Sequence, residues 1–122
     1  MDNYDARYNS LGLVFFLFLL DTTSYKGIIS IIIIFNGILC HGSRFLEMKY
    51  AKQIIFYDII CNIIIGLFTL YTEKIHKLFI FIIYLICIFN FIINKFRYNN
   101  TGLLHVLGIQ LPSSIALSYY QF

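Results

Sequence analysis

The sequence predicts an all-α, polytopic membrane helix bundle with about five transmembrane helices, folded as one domain over residues 1–122. Three observations carry this reading. Hydrophobic residues make up 60% of the chain and charged residues 12%, against roughly a half and a quarter in a soluble domain. A chain of 122 residues has too little interior to hide that much apolar surface from water. The apolar residues also gather into segments close to the length of a bilayer crossing, about 20 residues, parted by short polar links.

The first predicted span is 8–23, with a short apolar core at 11–20. It follows Asp2 and Asp5 and lacks the basic start and small-residue cleavage site of a signal peptide, so it is read as retained. The second span is 27–43, nearly continuous in Ile over 28–35. Such a β-branched run has no decisive periodicity. In lipid an unpaired strand leaves its amides unsatisfied, so a helix is expected. The third span is 53–71, the fourth 75–94 and the fifth 102–120. Pro112 sits near the middle of the fifth, where its missing N–H predicts a kink.

The links 24–26, 44–52, 72–74 and 95–100 are short, so consecutive helices run antiparallel. One side then carries Arg7, Arg44, Lys49, Lys52, Lys95 and Arg97, and the other Lys26, Lys74 and Lys77. The excess of positive side chains places the N-terminus in the cytosol. Net charge is +3 with no basic stripe, so nucleic acid is not an expected partner; membrane lipids are. Cys40, Cys61 and Cys87 fall within apolar runs without CxxC spacing, which predicts free, buried thiols.

Three polar side chains interrupt the apolar spans at one depth: His41, Asp58 and His105. Each lies roughly 5–10 Å inside its link, on the cytosolic side, at a rise of about 1.5 Å per residue. Each also shares a helix face with small residues. Ser30 and Gly37 accompany His41; Cys61, Asn62 and Gly66 accompany Asp58; Thr101, Gly108 and Pro112 accompany His105. Small residues allow close helix approach, and they also suit a homo-oligomer. Two imidazoles suit Zn²⁺, with a carboxylate as third ligand or as base toward metal-bound water. The plainer reading makes these groups anchors near the headgroups or bonds between helices. Asn90 and Asn94, four residues apart, are expected to join helices, and His76 is expected in a loop. No GxSxG, Walker or HExxH motif occurs.

The run from Gly37 to His41, followed after sixteen intervening residues by Asp58, resembles the CREST superfamily of membrane hydrolases, and most of all its PAQR branch. His105, followed by Val106 and Leu107, resembles the last metal histidine of that family. The resemblance covers about residues 27–71 and 101–120. It implies zinc on His41 and His105, Asp58 beside a metal-bound water, and hydrolysis of a lipid amide or ester. Gly37 stands at the family's serine position and Thr101 at the first histidine of its final pair, and the family has seven helices. The expectation is therefore a reduced CREST-like hydrolase or its inactive relative. The alternative is a non-catalytic membrane scaffold or interaction protein, in which Asp58 hydrogen-bonds Asn62 or a neighbouring helix. A small channel or transporter subunit ranks third, with Asn90, Gln110, Ser113 and Ser114 as its candidates.

Overall fold

The computed structural model describes residues 4–20 and 24–121. Helix α1 (Ala6–Ser10) starts at Asp5, whose carboxylate accepts from the backbone N–H groups of Arg7 and Tyr8. A 3-10 turn over Leu11–Leu13 leads into α2 (Val14–Leu17). Helix α3 (Tyr25–Phe45) is capped by Ser24, whose hydroxyl accepts from Gly27 N–H. Helices α4 (Ala51–Thr72) and α5 (Lys77–Phe96) follow. Asn99 and Asn100 take left-handed backbone conformations that turn the chain after α5. The last segment is α6 (Gly102–His105), a π turn over Val106–Gln110 and α7 (Leu111–Tyr119). The described residues contain no strand. By length and composition α3, α4 and α5 are each suited to cross a membrane.

The first predicted span differs most from the structure. Its helical run covers only 6–17. Twelve residues rise about 18 Å, against a hydrocarbon thickness of about 30 Å. The rest of that span, 18–20, leaves the helix, and 21–23 lie outside the described residues.

Around Pro112 the helix widens into the π turn rather than simply bending. Proline offers no N–H to the carbonyl four residues back, which is Gly108. Asn90 Nδ2 donates to that carbonyl at 2.8 Å. Cys87 Sγ lies 3.6 Å from the next carbonyl, Ile109, and 3.3 Å from Ser113 Oγ. A neighbouring helix thus satisfies the backbone that proline frees. Asn94 Nδ2 likewise donates to Thr101 O at 3.1 Å. The two asparagines join α5 to the last segment, as their spacing predicts.

Segments α1–α2 and α6–α7 pack side by side and point the same way. Helix α3 flanks the first of them and α5 the second, while α4 packs outside α3. The apolar core gathers Phe16, Ile29, Ile80, Ala116, Leu117 and Tyr120 toward one end. Glu73 closes that end. Its Oε1 accepts from Ile75 and His76 N–H, and its Oε2 from Gln121 N–H, all within 2.8–2.9 Å. Lys74 N–H donates to Gln121 O, Thr72 and Tyr120 hydroxyls are hydrogen-bonded, and Lys26 Nζ donates to Ser118 O. Burial pushes the Glu73 carboxyl upward, but the backbone donors of His76, Gln121 and Ile75 outweigh it and hold its pKa below the usual glutamate value.

Candidate polar site at the Arg44 end

The opposite end of the bundle is polar inside. His41 lies in the last turns of α3 and His105 closes α6, and their rings meet edge to face with centroids 5.4 Å apart. His41 is 6% exposed. Its Nδ1 is 2.6 Å from the Tyr4 hydroxyl, and the Tyr4 ring stacks on the imidazole. Arg44 covers the Tyr4 ring, with its guanidinium carbon 3.2 Å from the ring centroid. That distance suits a cation–π contact. His105 Nε2 is buried without a hydrogen-bond partner.

The segments approach closely here because glycines face side chains. A Cβ on Gly102 would strike Tyr8 and would lie 2.9 Å from Asn9 Oδ1. A Cβ on Gly37 would lie 2.5 Å from Leu13 Cδ2. Asn9 is 3% exposed and faces this junction.

Asp58 takes a different place. It is half-buried on α4, and its carboxyl group lies beside Cys40 of α3. Successive residues on a helix point about 100° apart, so Cys40 turns toward α4 while His41 turns toward α6. The structure brings the two imidazoles together and sets the carboxylate beside a thiol. Among the described residues no three His, Cys, Asp or Glu side chains are grouped to hold a metal ion.

The zinc implied by the family resemblance can be tested against this donor set. Two imidazoles on one tetrahedral ion, each nitrogen about 2.0–2.1 Å from it, hold their rings about 5 Å apart. The observed 5.4 Å and the unpaired His105 Nε2 fit two ligands of such an ion. The third ligand that a catalytic zinc ordinarily takes from protein is not supplied by Asp58, which faces Cys40.

The approach of Asp58 to Cys40 has a measurable consequence. Asp58→Leu and Cys40→Ala in a double-mutant cycle are expected to show a coupling of about 0.6 kcal/mol, with about 1.7 as a ceiling for hydrogen bonds in membranes. Unfolding midpoints in mixed micelles read it. Strict additivity would mean the two groups do not interact.

Tyr4, Arg44 and Asn9 join the site without a sequence signal that singles them out. Tyr4 lies in the polar stretch before the first predicted span, Asn9 at the polar start of that span, and Arg44 reads as an ordinary link cation. No family model, curated protein or solved structure matches the chain.

Proposed function

We propose that this chain is a multi-pass membrane protein with a non-catalytic scaffolding or interaction role, and that its intramembrane polar groups fasten helices to one another. The turning of Asp58 toward Cys40 at the seam between α4 and α3, away from the imidazoles, carries the reading. A carboxylate serving a metal-bound water would face the imidazoles, whereas this one faces the seam between α3 and the outer helix. Bonds at Asn90, Asn94 and Thr69 have the same character, each spanning two segments or supporting a turn. The chain crosses the bilayer five times in this proposal, the first time as a helix followed by irregular backbone. Leu19 packs against the apolar core, and irregular backbone is tolerated in a membrane where protein buries it. The Arg44 end is cytosolic, since it gathers six of the nine Lys and Arg residues.

A second reading is favoured by one observation, the contact between His41 and His105. Under it the chain is a CREST-like metalloprotein acting on a lipid amide or ester. His41 and His105 would hold Zn²⁺, which supplies Lewis-acid polarisation of a carbonyl when bound. Tyr4 would then orient the His41 ring through Nδ1.

Metal analysis of the purified full chain separates the two. The scaffold proposal expects less than about 0.1 zinc per chain, unchanged by His41→Ala. One zinc per chain that is lost on His41→Ala and on His105→Ala would overturn it and establish the second reading.

A further inference from the structure

We propose that the groove between α4 and α5 beside Lys77 binds one anionic phospholipid, whose phosphate meets Lys77 and the first turn of α5 and whose acyl chain lies along Leu70, Leu78 and Phe81. The inference rests on the membrane reading, and not on the choice between scaffold and metalloprotein. The groove measures about 520 Å³ and is lined by Leu70, Lys77, Leu78 and Phe81. Clefts that take small ligands run from about 300 to 1,000 Å³. Leu70 forms the floor, half-buried against the apolar core. Leu78 and Phe81 form the walls and are 71% and 46% exposed. Helix α4 leans mainly on α3. It meets α5 at Tyr84, whose hydroxyl is 2.8 Å from Thr69 Oγ1. Leu70 and Phe81 lie next to that contact, on the side of the α4–α5 link.

The groove is ordered as a phospholipid is. Helix α5 has 20 residues. It rises about 30 Å, the thickness of the hydrocarbon. Lys77, its first residue, therefore stands in the headgroup layer, and Phe81 lies one turn inside. The mouth is charged and the interior apolar.

Charge selects the headgroup. Lys77 makes no ion pair or hydrogen bond among the described residues. Glu73, four residues away, does not neutralise it, because both its oxygens accept backbone N–H groups. No side chain caps α5. The N–H groups of its first turn thus add to the positive end of the helix. A phosphodiester suits an ammonium and a helix start together. Phosphatidylcholine brings its own cation to the phosphate, whereas an anionic lipid leaves the Lys77 charge answered. A second groove, lined by Tyr98, Thr101, Leu103, Leu104, Leu107 and Gly108, contains no charged side chain. Nothing there tells one headgroup from another.

The test is native mass spectrometry of the full chain, released from micelles holding equal amounts of phosphatidylglycerol and phosphatidylcholine. Wild type is expected to retain one phosphatidylglycerol, preferred about fivefold. Lys77→Gln, at an exposed position, is expected to fold and to retain the two lipids about equally. Lys95→Gln, at the other end of α5, is expected to keep the wild-type preference. Glycerol phosphate, the same headgroup chemistry without chains, is expected not to displace the lipid at equal concentration. Equal retention of the two lipids by wild type would overturn the proposal, as would a preference unchanged in Lys77→Gln or lowered as much by Lys95→Gln. Displacement by glycerol phosphate would overturn the part given to the groove and leave a phosphate site alone. Extraction of the chain from vesicles by alkaline carbonate would sink the membrane reading itself, and zinc content reads the scaffold proposal, so each idea fails separately.

Discussion

Glu73→Ala is expected to destabilise the folded bundle by about 3 kcal/mol, the largest loss from any single polar substitution here. The side chain is 3% exposed, and both its oxygens accept backbone N–H groups. Two of those donors belong to the turn before α5 and one to Gln121, so the carboxylate ties the α4–α5 link to the end of α7. Alanine leaves three donors to find water or go unpaired, and the neighbouring Lys74–Gln121 and Thr72–Tyr120 bonds lose their frame. An SDS-unfolding midpoint equal to wild type would show that the clamp adds nothing.

The same residue sets a pH dependence. Its folded pKa lies below the unfolded value, because backbone donors favour the charged form. Its contribution is therefore complete above the ordinary glutamate pKa, about 4.3. It is lost as pH falls through the lower folded value. Wild type is expected to lose stability in acid over that window, and Glu73→Gln, which cannot titrate, to lose less. Parallel curves for the two would mean the carboxylate is not held by these donors.

Helices α3, α4 and α5 were legible because long apolar runs between polar links leave one solution in lipid. Their observed ends fall within two residues of the predicted spans. The π turn was not legible. Pro112 announces a freed carbonyl, but whether the helix bends or widens depends on Asn90 and Cys87 reaching Gly108 and Ile109 from α5. The end of the first helix at Leu17 was not legible for a similar reason: the apolar core at 11–20 shows hydropathy, while the break after Leu17 depends on how that segment packs.

The candidate site divides along the same line. Depth can be counted along a helix, so the meeting of His41 with His105 follows from equal distances to the link. Rotation about the helix axis cannot be counted that way when both faces of α4 are apolar. That rotation sends Asp58 to Cys40 and leaves Asn62 outward. Asn62 shares a predicted face with Asp58 and Gly66, yet the structure leaves it unpaired at the rim of that face.

Gly12→Leu is expected to cost about 1–3 kcal/mol or more by overpacking the seam between the first and last segments. A Cβ at Gly12 would collide with the carboxamide end of Gln110 and would lie 2.8 Å from Gln110 Cβ. The carboxamide end can swing aside. The Cβ is fixed to the backbone of the π turn, so larger side chains must push the two segments apart. Gln110 is 8% exposed with its Oε1 unpaired, so displacing it does not trade one good bond for another. The separation would also loosen Asn9 against Gly102 and, through α6, the contact of His105 with His41. Gly42 is the control on the same kind of helix surface, since nothing lies within 4 Å of its would-be Cβ. Gly42→Ala is expected to be neutral or to stabilise by up to about 1 kcal/mol through helix propensity. Thermal unfolding in mixed micelles reads both variants. If Gly12→Leu melts with wild type, the first segment does not pack against the last as described, and the seam that brings the two imidazoles into one layer would lose its support.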